Sequence, residues 1–127
     1  MRRAVLLALA LVAGSAGAQV PGPYTETQAA EGAVLFLENC ARCHGLRLQG
    51  DFGPPLVGPP FDVHWRGGRV MELFGFIRTN MPADFPGTLN PWDYVAILAF
   101  ILKSNGVPSG PEPLAPGIPR ALLIPDR

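Results

Sequence analysis

Cys40-Ala41-Arg42-Cys43-His44 places two thiols and an imidazole within five residues. Thiols three residues apart can bind a metal, cycle as a dithiol, close a disulfide or add to the two vinyl groups of a porphyrin. Each chemistry needs its own surroundings. A redox dithiol of the thioredoxin type needs a βαβ context, and no strand-like alternation is present to provide one. A structural zinc site needs four ligands, and His64 is the one plausible addition. A disulfide across so short a span closes a tiny loop and stabilises little. C-x-x-C-H is the spacing of covalent haem attachment. Cys40 and Cys43 would form thioethers with the vinyls on one edge of the macrocycle, and His44 would then lie under the iron. One covalently bound haem c is therefore the expected cofactor.

Haem iron takes a second axial ligand, and three residues could supply it: Met71, Met81 and His64. Met71 falls within an amphipathic stretch and reads as core. Met81 follows that stretch in Arg78-Thr79-Asn80-Met81-Pro82, across a long loop from His44, with Pro82 restraining the backbone beside the sulfur. His64 would give a bis-histidine, lower-potential iron, but otherwise reads as a loop residue. Buried propionates demand donors or cations, for which Trp65, Arg66, Arg69 and Arg78 are the candidates, Trp65 and Arg78 foremost. Two axial ligands saturate the iron and leave it able only to pass an electron. Without a stable Met81 bond the open position could serve a small-ligand sensor or a peroxidase.

Helices must position these groups. Thr25 or Thr27 can cap one, Glu26 suits its first turn, and Ala29, Ala33, Phe36 and Leu37 follow its period, which predicts a helix over 26–39. Val70, Leu73, Phe74 and Ile77 predict a second over 70–79, ended by Met81-Pro82 because proline disfavours helical geometry in the preceding residue. Asn90, Pro91 and Asp93 open a third; Tyr94, Ile97, Leu98, Ile101 and Leu102 form its stripe, and Gly106 stops it. Residues 45–68 are dense in Gly and Pro and read as a loop of over twenty residues, a length expected only if it wraps something. Six prolines between Val107 and Arg127 exclude a helix or central strand there. That tail reads as extended, its apolar residues laid on the body or on a partner. The fold class is all-α.

Arg2-Arg3, the apolar run 4–13 and Ala16-Gly17-Ala18 have the three-part layout of a secretory signal. Cleavage after Ala18 would send Gln19–Arg127 to an exported, periplasmic location. The expected organisation is a signal peptide over 1–18, a domain over 19–106 and an extended tail over 107–127. The whole sequence is neutral, with ten basic and ten acidic residues, and only 16% of it is charged against 48% hydrophobic. Neutrality argues against nucleic acid, which needs a cationic face. No apolar run reaches the roughly 18 residues of a transmembrane helix. Nothing resembles a catalytic triad, a carboxylate dyad or a phosphate loop.

From Glu31 to Gly106 the sequence resembles class I cytochromes c. Gly32-x-x-x-Phe36-x-x-x-Cys40 is similar to their N-terminal helix, where glycine lets the C-terminal helix cross closely; Ile97 and Phe100 would be its partners. Gly53-Pro54-Pro55-Leu56-Val57-Gly58 resembles the family's G-P-x-L-x-G loop, which implies that the Pro54 carbonyl accepts from His44 Nδ1–H. Arg78–Pro82 resembles the Met-Pro ligand loop, which implies Met81 as the axial thioether. The resemblance implies the cytochrome c fold, three main helices around one haem, and the work of an electron carrier rather than an enzyme. Leu48-Gln49-Gly50, the 53–58 loop and the helix through 97–102 look most like haem-c domains that serve quinoprotein dehydrogenases or the haem-c subunit of some haem–copper oxidases. Partners of those types are implied, one as electron donor and one as acceptor. Lys103 is the only lysine, so partner contact is expected to be more apolar than in Lys-rich relatives.

Overall fold

The computed structural model describes residues 20–127 together with Gly14 and Gly17; the expected signal segment lies almost entirely outside the described residues. Five helices follow in order: α1 (Glu26–Asn39), α2 (Ala41–His44), α3 (Pro59–Trp65), α4 (Val70–Asn80) and α5 (Pro91–Ser104). Among the described residues there is no strand, only an isolated antiparallel bridge between Arg69 and Leu123. The fold is all-α.

Side-chain caps start the two long helices. Thr25 accepts from the Gln28 N–H at 3.1 Å, and Asn90 Oδ1 accepts from the Asp93 N–H at 3.0 Å with Pro91 in the first turn. Each cap pairs a donor that the first turn of a helix leaves without a partner. α1 and α5 then cross at Gly32. A Cβ there would lie 1.8 Å from the Ala96 carbonyl oxygen, so only glycine permits the approach. Next to the crossing, Phe36 and Phe100 meet with ring centroids 5.3 Å apart and planes tilted by 54°. Tyr94, Val95, Ile97, Leu98, Ile101 and Leu102 of α5 are all buried, which makes this helix the centre of the core.

The expected long loop is broken by a helix. α3 starts on Pro59-Pro60, and proline is tolerated in a first turn because its missing N–H would have no partner there. Phe61 is its one buried residue, so no apolar period announces it. Arg66 braces it through Asp62 Oδ1 at 2.8 Å. α4 runs to Asn80, and Met81 has already turned extended, as a residue before proline should. The Met81–Pro82 peptide is cis.

The proline-rich tail lies extended on the body and supplies it with core. Leu114, Ile118 and Ile124 are buried in the same cluster as α1, α4 and α5. The prolines leave the tail little backbone bonding of its own beyond the turn from Leu122 N–H to Pro119 O, and its backbone bonds to the body. The Gln28 side chain donates to the Leu114 carbonyl at 2.7 Å and accepts from its N–H at 2.8 Å. The Gly67 N–H donates to Ile124 O and the Ile124 N–H to Gly68 O, at 2.9 and 2.8 Å. The Val70 N–H donates to Leu122 O at 3.0 Å. The lead-in joins the same arrangement: Tyr24 is buried, its hydroxyl donates to Val107 O, and its phenol is pushed up to about 12, mainly by burial and secondly by Glu26.

Candidate haem site

Cys40 closes α1 and opens α2, a single turn that sets Cys40, Cys43 and His44 on one short segment. Both cysteines are free and half-buried. Burial, and secondly the neighbouring Cys43, pushes the Cys40 thiol up to about 11. A dithiol that works by thiolate attack needs the opposite shift, so the redox-dithiol reading loses support. Among the described residues no group of three or more His, Cys, Asp or Glu side chains is gathered as a structural zinc site would require.

Residues 45–56 fold back over the pentapeptide. The Gly50 N–H donates to His44 O at 2.7 Å, the Gly53 N–H to Cys43 O at 2.8 Å and the Leu56 N–H to Leu48 O at 2.8 Å. Leu48 adopts φ 58°, a left-handed geometry unfavourable for leucine, while its side chain is buried. The product of this fold-back is the placement of His44. The residue is 6% exposed, and Nδ1 lies 2.8 Å from the Pro54 carbonyl oxygen. A carbonyl can only accept, so Nδ1 carries the proton and Nε2 keeps a lone pair for a metal. Gly53 leaves room for the ring: a Cβ there would come within 2.8 Å of His44 Cε1. Unpaired thiols, a buried imidazole and a fixed tautomer fit haem c.

The other sequence-derived candidates are spread around the body. Met81 is half-buried against the core. Its carbonyl accepts from the Tyr94 hydroxyl at 2.6 Å and from the Gly87 N–H at 3.3 Å. Met71 also packs on the core, from α4, and His64 is exposed on α3. Trp65 meets Phe76 with ring centroids 5.7 Å apart and planes tilted by 58°. Arg78 sits two residues beyond Phe76, about 200° around α4, and lines an open cleft of about 540 Å³ with Met71, Phe74, Thr79, Gly87 and Ile118. Trp65 and Arg78 thus stand at different edges of α4. Arg66 is committed to Asp62, Asn105 O and Pro125 O, and Arg69 pairs with Glu72 at the surface. Sequence reasoning missed Tyr94, which it read only as one member of an apolar stripe. It also missed the ion pair between Arg42 and Asp84, which joins α2 to the loop after Met81 at 2.8 Å. No periodicity or motif marks either contact.

An all-α body whose buried imidazole follows a C-x-x-C pair defines a c-type cytochrome. The chain belongs to the family described as "Cytochrome C oxidase, cbb3-type, subunit III", whose match covers residues 27–101, more than half of its length. It is also similar to thiosulfate dehydrogenase of Stutzerimonas stutzeri (strain A1501), at 31% identity over 107 residues, covering 78% of this chain and 34% of that protein. Cytochrome c-551 of Bacillus subtilis (strain 168) is 38% identical over 63 residues, covering 48% of this chain and 53% of the relative. The chain therefore spans about a third and about half of these relatives. No solved structure matches it. Membership carries haem c as the cofactor. No helix among the described residues is long and apolar enough to cross a membrane.

Proposed function

We propose that this protein is an exported, periplasmic monohaem carrier or electron-transfer subunit, taking electrons from a dehydrogenase-type donor and delivering them to an oxidase or another cytochrome. Bound haem c supplies a one-electron iron couple. Cys40 and Cys43 would attach it, His44 and Met81 would ligate its iron, and Pro54 would fix the His44 tautomer. Trp65 and Arg78 are the propionate-side candidates. The observation that carries this reading is the 2.8 Å contact between His44 Nδ1 and Pro54 O, which places the proton on Nδ1 and leaves the Nε2 lone pair for a metal. Support for a donor of the dehydrogenase class comes from the likeness to part of a thiosulfate dehydrogenase, and for an oxidase-type acceptor from the family description. The sequence layout of residues 1–18 supports export and cleavage after Ala18.

A spectroelectrochemical titration of the holo-protein, made with haem-attachment machinery, tests the ligand set. Met81→His should keep low-spin iron and lower the midpoint potential, because imidazole stabilises ferric iron better than a thioether. Met71→Leu should leave the spectrum unchanged and cost less than about 1.5 kcal/mol in stability. A purified product without covalent haem would overturn the whole reading, and an axial spectrum that follows Met71 instead would move the ligand.

A further inference from the structure

Met81 opens a segment that the body holds by few contacts. Residues 83–88 are exposed, and Leu89 is the next to turn back towards the core. Within the segment the Phe85 N–H donates to Pro82 O, the Thr88 hydroxyl to Phe85 O and the Gly87 N–H to Met81 O. These bonds curl the loop on itself, and its backbone is tied to the body at Met81, whose N–H donates to Ile77 O of α4 at 2.9 Å. Two side chains reach it from elsewhere. Arg42 meets Asp84 at the surface, where water and salt compete with the pair. Tyr94 reaches it from beneath.

Tyr94 is 1% exposed, on the first turns of α5, the helix that crosses α1 at Gly32. Its hydroxyl donates to the Met81 carbonyl at 2.6 Å and accepts from the Leu89 N–H at 3.4 Å. One buried oxygen thus bonds the first and last residues of the 81–89 segment. The bonds are part-buried, with Tyr94 at the buried end, and loss of the hydroxyl would leave the Met81 carbonyl with only the 3.3 Å bond from Gly87.

We propose that Tyr94 is the positioning residue for Met81: its hydroxyl ties both ends of the 81–89 loop to α5 and so sets how firmly the thioether is presented. This rests on the reading of Met81 as an axial ligand. A side chain on a free loop must be ordered each time it binds. A loop pinned at both ends has already lost that freedom, so an external ligand must displace a preordered group.

The test is competition by free imidazole on the oxidised holo-protein, followed through the weak long-wavelength band that thioether ligation gives. Tyr94→Phe keeps the ring and removes the hydroxyl. It should still attach haem and keep the band, while the apparent affinity for imidazole rises by roughly three- to tenfold. Arg42→Gln should raise it less than twofold. Leu98→Ala, a core change in the same helix, provides the control: it should lower the melting temperature without moving imidazole affinity, a split that a purely structural role for Tyr94 would not produce. Wild-type imidazole affinity in Tyr94→Phe would overturn the proposal. So would failure of Tyr94→Phe to attach haem, since a positioning group leaves Cys40, Cys43 and His44 untouched. Met81→Leu separates the two readings: if it retains the band, Met81 is not the ligand and the fault lies there rather than with Tyr94.

Discussion

The pentapeptide side and the Met81 side are held by different kinds of contact. Around His44 the bonds are local and mostly backbone: Gly50 to His44, Gly53 to Cys43 and His44 to Pro54 all fall within ten residues. Around Met81 one backbone bond, from its N–H to Ile77 O, joins the loop to α4, and the side-chain attachments come from distant elements: one buried phenol on α5 and one exposed arginine on α2. The first region closes on itself as soon as a short stretch of chain is formed. The second exists only once α1, α4 and α5 have packed. The Met81 side is therefore where this molecule is expected to open first, since local stability falls with fewer buried contacts and more exposed backbone.

The largest break in that comparison comes from the rigid side. His44→Ala should abolish stable low-spin haem, and Cys40→Ala should leave one thioether and sharply lower holo-protein yield; haem content per polypeptide measures both. Gly53→Ala should act in between. Its methyl would press on the His44 ring at 2.8 Å, so the ring or the loop must give way. Overpacking of this kind costs about 1–3 kcal/mol, read by denaturant unfolding of the holo-protein. A shift in midpoint potential should accompany it, because the bond to Pro54 is disturbed; an unchanged potential would show that the loop absorbs the methyl. The smallest effect belongs to the flexible side. Asp84→Asn removes an ion pair whose partners are 80% and 49% exposed, worth under about 1 kcal/mol, and the loss should vanish at high salt. A larger, salt-insensitive loss would mean that the exposed tie matters as much as the buried one.

Short-range chemistry was legible in the residues themselves. C-x-x-C-H names its cofactor because two thiols and an imidazole at that spacing fit one porphyrin edge and its iron. The starts of α1 and α5 were readable because a cap is a contact between residues three apart, and the crossing at Gly32 was implied by the resemblance to class I cytochromes c. Other features depended on partners far along the chain. α3 was hidden because a helix begun on two prolines with one buried phenylalanine has no period to detect. The tail's bonding to Gln28, Gly68 and Val70, and its buried side chains, followed from where the body left donors and apolar surface uncovered. Tyr94 had the spacing of a core residue and is one. That its hydroxyl also meets the Met81 carbonyl was decided by the way α4 and α5 pack, since a phenol of fixed length can bond only what the fold brings within its reach.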